Sequence, residues 1–107
     1  MKALQIVKYG ELKDSLSINE IAKPSITSSD ILVEVKAASI NPIDYKLAEG
    51  HLKDMVPLNL PCAIGFDVSG VVVEKGTDVG NFEVGDTVYS RVPQEQMGTV
   101  AEYVAIY

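Results

Sequence analysis

Residues 31–50 read ILVEVKAASINPIDYKLAEG, and the reading of this stretch decides the fold. In its first part, ILVEVKAA, Ile31, Val33 and Val35 fall on one side while Glu34 and Lys36 fall on the other. Alternation with period two, carried by β-branched residues, is what a strand with one face on a core requires. Asn41-Pro42 then breaks the pattern. The first turn of a helix leaves its N–H groups unpaired, so Pro42 suits the first helical position and Asn41 its cap. The spacing predicts a short helix over 42–49 that stops at Gly50.

Working outward, residues 2–8 and 14–21 alternate loosely on either side of Gly10 and are expected to form an antiparallel pair. Pro24 and the polar run Ser25 to Asp30 make a turn-rich link. Residues 51–65, HLKDMVPLNLPCAIG, lose all periodicity and predict an irregular but packed loop. Residues 67–75, DVSGVVVEK, read as a central strand, with Gly70 at a bulge or a close packing contact. Gly76, Gly80 and FEVGD at 82–86 turn the chain, and 86–92 follows as a strand whose Val88 and Val92 suit a core. The tail TVAEYVAIY alternates again, with Ala101, Tyr103 and Ala105 on one face. Short strands with Gly- or Pro-marked turns and one or two short helices predict a mainly β domain, a partly open β-barrel.

Bulk properties narrow the function. A chain of 107 residues is of single-domain size and long enough to bury a core without staples. Its net charge of -6, from 15 acidic and 9 basic residues, argues against nucleic acid and anionic membrane partners. Arg91 is the sole arginine, so the planar fork suited to phosphates is scarce. Cys62 is the sole cysteine, which rules out an internal disulfide. The first ten residues, MKALQIVKYG, lack a signal-peptide pattern, and no apolar run approaches the roughly 20 residues of a spanning helix. A cytoplasmic location is expected.

Candidate chemistry gathers at the start of the predicted helix. Asn41 offers a donor and an acceptor, Asp44 a carboxylate and Tyr45 a phenol, a set able to orient ribose hydroxyls or a carbonyl substrate. The plainer account is that Asn41 caps the helix and Asp44 favours its positive first turn. Gly65 to Gly70 is not a phosphate loop, because the G-x-G-x-x-G spacing fails and a β run follows. No metal site is expected: His51, Cys62 and scattered carboxylates lack the paired spacing of zinc ligands. His51 reads as an exposed loop residue and Cys62 as inert packing. Asp86 reads as a turn carboxylate bonded to backbone amides, and Tyr89, Tyr103 and Tyr107 as core or rim packing on strands.

Three pieces occur in order: Asn-Pro-x-Asp at 41–44, Gly-x-Asp-x-Ser-Gly-x-Val at 65–72, and Phe-x-x-Gly-Asp-x-Val at 82–88. With them the chain resembles the amino-terminal GroES-like segment of medium-chain dehydrogenases and reductases, in the zinc-independent quinone oxidoreductase branch. The resemblance implies that a metal-binding cysteine of the zinc-dependent relatives is replaced by Asn41, and their histidine and glutamate by Phe66 and Asp67. It implies hydride transfer from NADPH to a quinone, an enone or a similar activated double bond. Asn41 would sit beside the nicotinamide ribose or the substrate carbonyl, Asp44 would organise that corner, and Tyr45 would line the cleft. Gly65, Asp67, Ser69 and Gly70 would shape the strand entering the barrel. The Rossmann domain would follow residues 1–107 and is absent from this chain, so the chain alone is expected to bind NADPH weakly and to be inactive. The alternative is a noncatalytic GroES-like binding or self-association module, and a homodimer is compatible with either.

Overall fold

A computed structural model describes residues 1–55 and 57–107. Along the chain run β1 (Lys2–Ile6), α1 (Leu12–Ser15), β2 (Leu16–Glu20), β3 (Ile31–Ser39), α2 (Pro42–Glu49), β4 (Cys62–Ala63), β5 (Asp67–Lys75), β6 (Thr87–Arg91) and β7 (Tyr103–Ile106), with a 3₁₀ turn at Gln94–Gln96. They make two antiparallel sheets, β2-β1-β4 and β6-β5-β3-β7. The sheets do not close into a continuous barrel, which agrees with the mainly β, partly open architecture expected. An isolated β-bridge pairs Ala3 of β1 with Ala101, just before β7.

β3 and β5 form the centre of the larger sheet, and Val33 and Val72 meet there in register. Both are fully buried, as are Ile6, Leu47 and Ile64, which carry the core across to β1 and α2. Each such side chain contributes about 1.5–3 kcal/mol by leaving water. Simple alternation fails at the start of β3, where Ile31, Leu32 and Val33 are all buried. The register shifts at Leu32/Val33, which leaves Val73 of β5 over, and again at Val35/Ala37, which leaves Lys36 of β3 over, so both strands are bulged. Gly70 lies across from the second shift, where a side chain would strike the Glu34 carbonyl oxygen. Close backbone approach is therefore why glycine stands there.

Residues 98–102 strap the two sheets together. Gly98 N–H donates to Gly65 O (2.9 Å), Val100 N–H to Ile64 O (2.9 Å) and Glu102 N–H to Lys2 O (3.1 Å), while Val35 N–H donates to Glu102 O (2.9 Å). Beneath the strap Gly65 has φ +107°, and a side chain on it would run into Thr99 and Val100.

Three expectations are corrected. The predicted strand 14–21 begins only at Leu16, because the turn after Gly10 continues as one helical turn in which the N–H groups of Asp14 and Ser15 both reach Glu11 O (2.9 Å each). The irregular stretch 51–65 contains β4, which pairs with β1 through Gln5 and Ile6. Tyr89 and Tyr107 are 90% and 84% exposed, so neither joins the core; Val104 and Ile106 fill that place on β7. The Asp86 turn is as expected, with Glu83 N–H donating to Asp86 Oδ2 at 2.9 Å.

Candidate functional site

Ser39 ends β3 and Asp67 begins β5, and the ladder sets them opposite each other. Ser39 Oγ donates to Asp67 Oδ2 at 3.0 Å, and the Asn41 side-chain amide donates to the same oxygen at 2.7 Å. Two residues past the strand end, Asn41 is thus tied across the sheet. Its backbone is fixed from the other direction, since Asn41 N–H donates to Asp44 Oδ2 (2.7 Å) and Asp44 N–H returns to Asn41 O (2.9 Å). This is the carboxylate half of a capping box, with Pro42 in the first turn of α2.

Asp44 is only 1% exposed, and its Oδ1 has no hydrogen-bond partner. Burial pushes its carboxyl above the ordinary range. The Asn41 N–H works against that shift, the charge of Asp67 reinforces it, and the Gly65 N–H offsets it in part. Asp44 is buried and touches the groove only through its bond to the Asn41 backbone. Tyr45, one residue further and about 100° around the helix, is 41% exposed and does not line the groove formed by its neighbours.

That groove has two arms. One arm, of about 400 Å³, is bounded by Asn41, Pro42, Ile43, Phe66, Asp67 and Arg91. An apolar arm of about 450 Å³ runs on past Leu47, Val92, Pro93 and Gln94. Ile43, Phe66 and Arg91 belong to both. Phe66 is buried, and the Arg91 guanidinium stands over its ring at 5.6 Å from the centroid. The arrangement presents a fixed amide, one cation and an aromatic wall, which suits a small planar molecule with polar oxygens.

As a metal site the corner is poorly equipped. Asn41 is a neutral amide already committed to Asp67, and Phe66 has no donor atom. Among the described residues no three His, Cys, Asp or Glu side chains come together as a ligand group. Cys62 lies half-buried on β4, where burial raises its thiol and keeps it from the reactive thiolate form. His51 is exposed past the end of α2, with Nε2 3.5 Å from Glu49. Among the described residues no helix is long and apolar enough to cross a membrane.

The structure brings Asn41 and Asp44 together, leaves Tyr45 outside the groove, sets Phe66 and Arg91 in its wall and anchors Asn41 on Asp67. The alternating strand at 86–92 and the single arginine in it were the available signals for Arg91.

Residues 27–106 match the family described as the alcohol dehydrogenase GroES-like domain. The chain is 38% identical over 103 residues to a chloroplastic quinone-oxidoreductase homolog of Spinacia oleracea, covering 96% of this chain and 31% of that protein. It is 36% identical over 112 residues to a chloroplastic NADPH-dependent alkenal/one oxidoreductase of Arabidopsis thaliana, covering 99% and 29%. The solved quinone oxidoreductase of Coxiella burnetii superposes with a TM-score of 0.87 at 37% identity, over 99% of this chain and 34% of that one. The chain spans about a third of the length of these relatives. The match over 27–106, three quarters of the chain, settles the assignment: the chain belongs to the alcohol dehydrogenase GroES-like domain family.

Proposed function

We propose that residues 1–107 are the substrate-side part of an NAD(P)H-dependent oxidoreductase that reduces a quinone, an enone or a similarly activated double bond without zinc. The carrying observation is the Asn41–Asp67 hydrogen bond of 2.7 Å in the groove that Phe66 also lines, a neutral amide and an aromatic ring where zinc chemistry needs ligands. The names of the quinone and alkenal/one oxidoreductase relatives support the reaction class.

NADPH, when bound, supplies the hydride. The residues of this chain hold and orient the acceptor. Asn41, with its N–H on Asp67, turns its amide oxygen to a ribose hydroxyl or nicotinamide amide and keeps its second N–H for a substrate carbonyl. Asp44 holds the Asn41 backbone, and Ser39 holds Asp67. Ile43 and Phe66 give a planar acceptor an apolar wall and keep water from it. Tyr45, outside the groove here, is assigned a place at the rim of the complete cleft. Most cofactor contacts are assigned to another part of the whole protein, because this chain offers no dinucleotide fingerprint. The isolated chain is therefore expected to be inactive. A cytoplasmic location belongs to the same proposal; relatives bear chloroplastic and mitochondrial names, so fractionation of the source cells tests it.

The test is a panel of quinones and enones given to the whole protein with NADPH and with NADH, beside a zinc determination. Turnover without stoichiometric zinc is expected, and Asn41→Ala should lower kcat/KM by about ten- to a hundredfold through lost positioning. Unchanged rates would remove Asn41 from the site. A tightly held zinc ion whose loss abolishes turnover would overturn the reading.

A second reading, self-association through the larger sheet, is favoured by one observation. Phe82, Val88, Tyr89, Ile106 and Tyr107 line an open groove beside the two edge strands β6 and β7.

A further inference from the structure

Arg91 is the one arginine in a chain of net charge -6, and it stands at the junction of both arms of the groove. Four of the eight lysines have acidic or aromatic partners: Lys36 pairs with Glu34, Lys75 with Glu83 at 3.2 Å, and Lys13 with Glu11 at 3.6 Å, while Lys23 lies over Tyr103; none of the eight lines either arm of the groove. Arg91 has no carboxylate partner among the described residues. This is notable because its opposite number on the β5–β6 ladder is Asp67. Asp67 Oδ2 is taken instead by Ser39 and Asn41. Among the described residues the arginine is thus left without an ion-pair or side-chain hydrogen-bond partner, its guanidinium over Phe66.

Resting on the reading above, we propose that Arg91 anchors a carboxylate carried by an otherwise apolar, planar enone or quinone, and so sets which acceptors the groove prefers. The guanidinium is planar and offers paired N–H donors that match two carboxylate oxygens. Stacking on Phe66 limits its freedom, so less is lost when an anion is bound. The apolar arm gives the body of the acceptor a surface of Ile43, Leu47 and Val92. The net charge of the chain repels an anion, which makes the one cation lining the groove decisive for where the carboxylate settles within it. Because Arg91 is partly exposed to water, the effect is modest, about tenfold.

The experiment compares, in the whole protein, a neutral enone with the same enone bearing a carboxylate, for wild type, Arg91→Gln and Arg91→Lys. The expected result is that Arg91→Gln lowers the carboxylated-to-neutral ratio of kcat/KM about tenfold, mainly through KM, with Arg91→Lys between the two. Added salt should shrink the wild-type ratio in the same direction. An unchanged ratio in Arg91→Gln overturns the proposal, as does a rise in the KM for NADPH with the ratio unmoved, which would assign Arg91 to a cofactor phosphate. A calorimetric titration of trans-cinnamate, an aryl acrylate, needs no turnover. Binding weakened about tenfold by Arg91→Gln supports the anchor even if no enone is reduced, in which case the oxidoreductase reading alone falls. Equal binding by both proteins, or none by wild type, overturns the anchor.

Discussion

Asp44 is a carboxylate held where water does not reach, and its position has a consequence for pH. Its folded-state carboxyl lies above the unfolded one because burial disfavours the charge. Folding therefore favours the protonated form, and the stability this allows is full below the unfolded carboxyl range and lost as pH rises through the raised folded value. Asparagine keeps an acceptor for the Asn41 N–H and removes the charge. Asp44→Asn is expected to gain stability relative to wild type as pH climbs from about 4 toward neutrality. Asp44→Ala, which lacks the same charge but also the acceptor, should follow the same trend about 1 kcal/mol below Asp44→Asn at every pH. Urea midpoints across that range check this, and a difference flat with pH would refute it. The Asn41–Asp44 pair was legible in the sequence because a cap and its third residue are local. Its anchor was not: Asp67 lies 26 residues on and reaches Asn41 only through the β3–β5 ladder. Arg91 and Phe66 meet through the β5–β6 ladder in the same nonlocal way.

At the scale of elements, α2 is held to the sheets by Leu47 and Ala48, both buried, while its cap reaches into the groove. Leu47→Ala is expected to cost about 3 kcal/mol through lost burial and a residual cavity. Because Asn41 is fixed by the first turn of this helix, the variant should also show faster hydrogen exchange at the Asp44 amide than at Val72 in the sheet centre. Equal slowing or quickening at both would mean that the helix does not move independently. β5 at 67–75 and α2 at 42–49 have the bounds that alternation and Pro/Gly punctuation gave them. β3 runs one residue past its predicted end, to Ser39. The short pieces were hidden for a different reason. α1 is a single turn that no 3.6-residue period can announce, and the two residues of β4 acquire strand geometry only from β1.

On the scale of the whole molecule, an acidic net charge opposes contact between copies while the β6–β7 face invites it. Salt weakens the first and leaves the second. Sedimentation velocity over a concentration series is thus expected to show more association at higher salt, abolished by Tyr89→Lys, whose side chain is exposed on the edge strand. A monomer at every salt and concentration would count against self-association.

The strap at 98–102 has a mechanical consequence. A segment whose amides serve both sheets leaves no seam along which one could part while the other stays shut. Wear on the amino-terminal hairpin, remote from any ligand, would be transmitted through Ile64 to Gly65 and Phe66 and felt at the groove floor as loosened grip.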